Sequence, residues 1–550
     1  MPRCSARLAL ITAVLLAHAP SAARAEQAPG RVVLPPSFGA PEGNVDASGA
    51  GPAVGLPDGG VVLGAGRRGT VVLRQLRRDG APEAGFGQGG TARVTVPGDA
   101  FTLSHLLRRP DGRLLLVGTT PPASKYEQPR LAVVALSAQG ALDPAFGQNG
   151  VGRPGVSGGG AAALQPDGSV VLAGTTGQVS PEIETNPNAG ASFSWKVARL
   201  TPAGALDPGF GDAGVATVPV GAGRDTGGYG VGVTATGRLI TLGRSLGRTL
   251  VTALTPTGAA DPAYGGGAPV PVPSSSSTML VDPTGRVDVV GTERVLRLTA
   301  EGAPDATFGE GGTTTYPQML APQGLPTADG GLLVSSATGF DPRPPSQPAL
   351  RVLPISPTGA LGATTDVNPG FGGGLGSFAR MSSRLEQDGF LPGRLLPRPD
   401  GSFVLTGGVR IVRYTGEGTG FSTGLPAVAA LTAALEPDRA FGGPQSPARF
   451  RLSVSVQRAS QDASLHRILV RGMASAPGLA LLRVRDTRRR VLAQSLEPIY
   501  AGGTTTVRVP LTAIGRSVLR RGRSVRVSVG YAFRDVLTST THGARISRLR

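Results

Sequence analysis

A chain of 550 residues is longer than one compact core serves, so two or more structural units are expected. Gly (84) and Pro (49) approach a quarter of the sequence and aromatics only 4%, yet the Gly and Pro recur between short apolar runs, which marks turns between strands and excludes a structureless chain. The net charge of +18 is concentrated at one end, and a single cysteine excludes a disulfide framework and a zinc-thiolate site.

The first 25 residues read as a secretion signal. Arg3 and Arg7 give a positive start, Leu8 to Ala17 an apolar stretch, and Ala23-Arg24-Ala25 a small-residue cleavage site before Glu26. The apolar run is short for a membrane span. Cys4 precedes that run, so it cannot become a lipidated N-terminus, and cleavage leaves no thiol. No later run is long enough for a spanning helix, so the mature chain is expected to be secreted, extracellular or attached to the cell envelope.

Residues 26–443 carry an internal repeat. An aromatic-Gly pair recurs at Phe38, Phe86, Phe146, Phe210, Tyr264, Phe308, Phe371 and Phe441. Between consecutive marks sits one turn signal: Asp58-Gly59, Asp111-Gly112, Asp167-Gly168, Thr236-Gly237, Thr284-Gly285, Asp329-Gly330 and Asp400-Gly401. Apolar runs flank each turn, and a further strand follows, as in Val72–Leu76, Val197–Leu200, Val251–Leu254 and Val295–Leu298. With a weaker run after each aromatic-Gly mark, the count is four strands in each of seven intervals. This predicts an all-β fold: a seven-bladed β-propeller, followed by a small immunoglobulin-like β-sandwich. A parallel β-helix has shorter coils without a hairpin in each, and a transmembrane barrel needs longer alternating strands.

The LDxxFGxxG segment, the QPDGxxxxxG hairpin and the xARL strand together resemble the delta-60 repeat of bacterial secreted proteins. The likeness covers residues 30–445 and is most specific around Asp143–Gly174 and Arg199–Gly214. The resemblance implies a propeller-like fold and no particular activity.

Up-and-down strands put the aromatic-Gly and Asp-Gly turns on one edge and the variable loops on the other. The long loops are Thr119–Arg130, Thr175–Trp195, Ala337–Ala349, Gly372–Leu391 and Tyr414–Pro426. Their aromatics Tyr126, Trp195, Phe340, Tyr414 and Phe421 are candidate ligand or partner contacts, against the plainer reading that each ring pins its own loop. The Asp of each Asp-Gly turn is expected to stabilise the turn through its own side chain. His105, His466 and His542 lack metal spacing, and no nucleophile elbow, phosphate loop or calcium loop occurs. No catalytic residue, metal site or cofactor is therefore expected. The alternative is a secreted hydrolase or lyase acting on a polysaccharide, whose two carboxylates need no local signature.

Residues 444–448 read as a linker, signalled by the Gly- and Pro-rich run Gly442 to Pro447. From Arg449 to Arg550 twenty arginines face four acids, a net of +16, while residues 26–448 are nearly neutral. Arg and apolar residues alternate there, as in a sheet with one packed and one guanidinium-bearing face. The segment TVRVPLTAIGRSVLRRGRSVRVSV resembles the closing part of immunoglobulin-like domains of secreted actinobacterial proteins. Arg488, Arg489, Arg490, Arg520, Arg521 and Arg523 are the candidate polyanion contacts. The expected partners are an anionic cell-wall polymer or surface glycan, or a protein. Nucleic acid is not the expected target, because the chain is exported and the strands lack interleaved aromatics. The sequence thus points to a secreted, non-enzymatic binding or scaffold protein.

Overall fold

The computed structural model describes residues 51–441 except 68, 99, 123, 125, 159, 180–190, 224, 274–275, 338–349, 368–385, 415–419 and 439; outside that span it describes 13–15, 31–33, 450–455, 467–474, 478–499, 504–510, 512–520, 527–535 and 541–549. Seven four-stranded antiparallel sheets follow one another. Blade 1 holds Ala53–Gly55, Val61–Arg67, Thr70–Leu76 and Thr91–Thr95; blade 2 holds Thr102–Arg108, Leu114–Thr120, Arg130–Leu136 and Val151–Gly152. Blade 3 holds Ala162–Leu164, Val170–Val179, Ala191–Leu200 and Val215–Thr217; blade 4 holds Gly227–Val233, Leu239–Ser245, Arg248–Leu254 and Val270–Val272. Blade 5 holds Ser276–Val281, Val287–Gly291, Arg294–Leu298 and Thr313–Thr315; blade 6 holds Leu320–Pro326, Leu332–Ala337, Leu350–Ile355 and Thr365–Val367. Blade 7 combines Glu386–Pro397, Phe403–Tyr414 and Gly420–Leu431 with Arg31–Val33 from the other end of the chain.

The first strands of consecutive blades touch all the way round, including that of blade 7 against that of blade 1, so they line a closed central channel. The chain is a seven-bladed β-propeller closed by its early strand. Blades and sequence intervals are offset by one strand: the run after each aromatic-Gly mark completes its own blade instead of opening the next. Phe38 and Phe371 lie outside the described residues.

The repeat signals have local physical reasons. In the Asp-Gly turns the carboxylate accepts the backbone N–H two residues on, as Asp58 does from Gly60 at 2.9 Å and Asp167 from Ser169 at 2.9 Å. The mark aromatics Phe86, Phe146, Phe210, Tyr264, Phe308 and Phe441 are among the largest fully buried side chains. The glycines after the first five of these, Gly87, Gly147, Gly211, Gly265 and Gly309, have φ of +54° to +60°, and each N–H donates to a turn carbonyl of the next blade, as Gly147 does to Ala203 at 2.7 Å, Gly211 to Thr257 at 2.8 Å and Gly309 to Thr358 at 2.9 Å. Hydrophobic clusters run across the seams, and one joins Val61, Leu63 and Leu76 of blade 1 to Val404, Val428 and Phe441 of blade 7.

An arginine ties most seams next to that glycine bond. Arg109 donates to Pro202 O at 2.8 Å, Arg199 to Pro256 O at 2.6 Å, Arg238 to Ala300 O at 2.8 Å, Arg297 to Pro357 O at 2.8 Å and Arg398 to Arg78 O at 3.1 Å. Four of these guanidiniums also stack on the blade's aromatic, Arg297 on Phe308 at 4.0 Å being the tightest.

Beyond the propeller, two further antiparallel sheets form. One orders Ala13–Leu15, Phe450–Ser455, Arg467–Ala474 and Thr504–Pro510; the other orders Val491–Ile499, Gly478–Asp486, Val527–Asp535 and Thr541–Leu549. The helix Ala513–Arg520 falls in a stretch where the sequence predicts only strands. Thr512 caps it by accepting the Gly515 N–H at 3.1 Å, and Gly515 permits close approach to Leu492. No helix among the described residues is long and apolar enough to cross a membrane.

Candidate functional site

Strand alternation puts the first-to-second and third-to-fourth turns of every blade on one edge, the turn edge. The second-to-third loops and the connections between blades occupy the opposite, loop edge. Near that edge the innermost strands lose register at matching heights. Ser104 is left over between Leu103 and His105 in blade 2, and Tyr229 between Gly228 and Gly230 in blade 4. The same happens between Ser276 and Thr278 in blade 5, Leu320 and Gln323 in blade 6, and Pro392 and Leu395 in blade 7. Such bulges re-aim side chains. The last Gly of the QPDGxxxxxG motif makes room for them: a Cβ on Gly118 would lie 2.2 Å from Thr102 O, and one on Gly243 2.4 Å from Gly227 O.

Two polar groups at this height have open bonding capacity. Arg394 lies at the bulge of blade 7, solvent-accessible in the channel, and its guanidinium has no hydrogen bond or ion pair among the described residues. Its pKa is lowered by desolvation. Its charge reaches the blade 2 imidazole of His105, whose pKa falls to about 4, mainly through burial and secondarily through Arg394. Ser104 Oγ donates to Val117 O at 3.1 Å and so accepts from His105 Nδ1 at 3.1 Å, which assigns the proton to Nδ1 and leaves Nε2 an acceptor. Around the ring Thr278 Oγ1 donates to Pro322 O at 3.2 Å.

Large apolar side chains are exposed here too. Among the described propeller residues these are Tyr229 (37%), Leu246 (66%), Leu320 (62%) and Leu361 (46%); all but Leu361 belong to the loop edge. Leu246 shares a two-residue hairpin with Gly247 at φ +49°, a left-handed conformation that costs a leucine roughly 1 kcal/mol. Asp225 steadies that hairpin by accepting from Gly247 N at 2.8 Å and from Arg244 at 3.2 Å.

The aromatics singled out from sequence are dispersed. Trp195 is a correction: it is fully buried, its indole wedged against Gly228 and Gly243 of blade 4. Both ends of the run Thr175–Trp195 are strand and not loop, since they continue the ladder as far as Val179 paired with Ala191; residues 180–190 lie outside the described residues. Tyr126 is half-buried. Tyr414 and Phe421 lie on paired strands of blade 7, where only the backbone is described, and the expected loop Tyr414–Pro426 is thereby largely strand. Phe340 lies outside the described residues. Tyr229, Leu246 and Arg394 were missed, since neither an isolated exposed apolar residue nor a bulge has a sequence signature.

The carboxylates of the repeat are committed to structure. Asp143, Asp207, Asp261, Asp305 and Asp438 each accept a backbone N–H two residues on. Asp288 is buried and bidentate to Arg297 at 2.6 and 3.1 Å; burial raises its pKa against the pull of that arginine. Among innermost-strand residues with described side chains there is no carboxylate; Glu386 and Asp388 belong to the part where only backbone is described. No group of three metal-ligating side chains occurs among the described residues.

In the basic domain the alternation is visible around Leu482 and Val484, both fully buried, with Arg483 and Arg485 half-buried between and beyond them. Arg488, Arg489 and Arg490 are exposed on the turn that follows. Arg490 is committed there, bonding Asp486 at 2.7 Å, and Arg489 takes φ +63°. Arg520 ends the helix with only its backbone described, and Arg521 and Arg523 lie outside the described residues.

The model of a family described as "Domain of unknown function (DUF5122) beta-propeller" matches residues 165–210, the blade 3 segment from the Asp-Gly turn to the aromatic-Gly mark. No curated protein matches the sequence. Among solved structures, a protein of unknown function from Bacteroides caccae is 11% identical over 56% of this chain and 95% of its own, with a TM-score of 0.32. A puromycin hydrolase is 14% identical over 77% of this chain and 58% of its own, at 0.39. PorZ of the Porphyromonas gingivalis type-IX secretion system is 12% identical over 88% and 64%, at 0.27. Likenesses at these scores carry no functional argument.

Proposed function

We propose that the chain is a secreted, non-enzymatic binding or scaffold protein of the delta-60 repeat type. The propeller offers its loop edge and channel mouth to a ligand or protein partner. The basic C-terminal domain, immunoglobulin-like by the resemblance of its closing segment, holds the protein near an anionic wall polymer or surface glycan. The supporting observation is a division of labour: the repeated polar residues of the turn edge are engaged in turns and seams, while Arg394, His105 Nε2, Tyr229, Leu246 and Leu320 remain open on the loop side. Cleavage before Glu26 would remove the strand Ala13–Leu15 and leave three strands in its sheet.

The test is binding of the chain from Glu26 onward to purified cell envelope across a salt series, with and without residues 448–550. Binding that depends on the C-terminal domain and fades with salt supports anchoring. Unchanged binding after that deletion overturns it. For the loop edge, Tyr229→Ala combined with Leu246→Gly should release partners that the intact propeller retains, and unaltered retention removes that edge from the reading.

A further inference from the structure

Two of the seven seams, between blades 1 and 2 and between blades 6 and 7, lack among the described residues the arginine that ties the other five. Guanidiniums reach the seam from three positions: just before the Pro-Asp-Gly turn (Arg109, Arg398), just after its Gly (Arg238), and near the end of the third strand (Arg199, Arg297). In blade 1 the corresponding residues are Leu56, Gly60 and Gln75. The acceptor remains: Ala138 of blade 2 stands where Pro202, Pro256, Ala300, Pro357 and Arg78 stand at the tied seams, and no donor reaches its carbonyl among the described residues. The neighbouring glycine bond is intact, Gly87 N donating to Gln139 O at 2.9 Å. Phe86 has Gly140 against its ring as Phe146 has Gly204, with no guanidinium over it among the described residues.

A cavity of about 260 Å³ opens there, lined by Leu56, Asp58, Gln75, Arg108, Leu114 and Ala138 among others. Its acidic group is also unpaired. At the closing seam Asp400 pairs with Arg78, whereas Asp58, in the position of Asp400, faces Ala138 in the position of Arg78. One Asp58 oxygen accepts from Gly60 N and the other has no partner among the described residues. The Arg108 guanidinium at the same cavity makes no ion pair among the described residues.

We propose that the cavity between blades 1 and 2 binds a small molecule bearing a guanidinium at one end and a carboxylate at the other, arginine being the simplest. The guanidinium takes the place that Arg109 and Arg199 fill at the next two seams, donating to Ala138 O and Asp58. The carboxylate pairs with Arg108, whose planar fork suits it. This site is on the turn edge and does not depend on the loop-edge reading.

The full chain is titrated calorimetrically with L-arginine, with L-citrulline, which keeps the shape and carboxylate but is neutral, and with agmatine, which lacks the carboxylate. Arginine should bind saturably and citrulline at least about tenfold more weakly, the loss of a charge-assisted bond. Leu56→Arg, which copies Arg109, should fill the site and abolish binding with the fold retained; Gln75→Arg, which copies Arg199, repeats the test should the first variant misfold. Asp58→Asn keeps the turn acceptor and should weaken arginine and agmatine alike, while Arg108→Ala should weaken arginine alone. Absent arginine binding, equal citrulline binding, or binding that survives both filling variants overturns the site. Arg108→Ala that leaves arginine affinity unchanged overturns the carboxylate contact.

Discussion

Arg398 and Arg78, 320 residues apart in sequence, meet where the ring closes: the Arg398 guanidinium donates to the Arg78 carbonyl at 3.1 Å and lies over Phe441 at 5.4 Å. The return contact is an ion pair from the Arg78 side chain to Asp400, whose carboxyl is held well below the usual range by the Ser402 hydroxyl and then by Arg78. The closing seam thus uses the same bond that Arg109, Arg199, Arg238 and Arg297 make between neighbours. Closure is the ordinary seam, formed between the ends of the propeller.

Arg398→Ala should therefore destabilise the propeller by about 2 kcal/mol, the range for a buried hydrogen bond from a charged donor. Arg77→Ala, which removes only an exposed pair with Asp79, should change stability by less than about 0.5 kcal/mol. Urea titrations of both variants check the contrast. Equal effects would show that closure does not depend on the Arg398 bond.

Trp195→Ala should cost about 3–5 kcal/mol, because it empties space between blades 3 and 4 that Gly228 and Gly243 leave for the indole. Gly228→Ala should also be damaging, since its Cβ would lie 2.3 Å from the indole Nε1. Trp195 is the sole tryptophan, so its emission reports this seam directly. A blue-shifted native spectrum that reddens in step with global unfolding is expected; red emission from the native protein would contradict the buried placement.

The scaffold was legible because its constraints are local and repeated. The aromatic-Gly mark survives since the ring fills the blade and the glycine alone fits its backbone; Asp survives before Gly since it completes the turn. The frame was not legible: whether the strand after Phe441 or Arg31–Val33 completes the last blade is decided by pairing across the whole chain. The candidate site is legible least. Arg394 and Tyr229 owe their positions to bulges, and Trp195, which chain position puts at the end of a loop, lies within a ladder that continues past it to Val179 and Ala191. Chain position assigns edges correctly and cannot say which side chains turn inward.

Protonation of His105 makes stability depend on pH. Its folded pKa of about 4 lies below the ordinary histidine value, so between pH 6.5 and 4 the unfolded chain binds the proton and the folded chain does not. Stability should fall as pH is lowered through that window, by up to about 3 kcal/mol from this group. His105→Gln should flatten that part of the profile in urea titrations at stepped pH. A slope unchanged by the substitution would place the titration elsewhere.

Two glycines of one motif separate backbone conformation from space. Gly87 and Gly89 have φ of +54° and +57°, so alanine at either meets the left-handed penalty of roughly 1–2 kcal/mol. A Cβ at Gly89 meets nothing within 4 Å, whereas one at Gly87 would lie 2.1 Å from Thr91 O and would displace the fourth strand of blade 1. Gly87 also donates the seam bond to Gln139, which that displacement would break. Gly89→Ala should therefore cost only the conformational term, and Gly87→Ala should exceed it by at least about 2 kcal/mol. Thermal and urea unfolding of the two variants decide the matter. Equal losses would mean that backbone conformation alone, and not close packing of strand and seam, keeps glycine beside the aromatic.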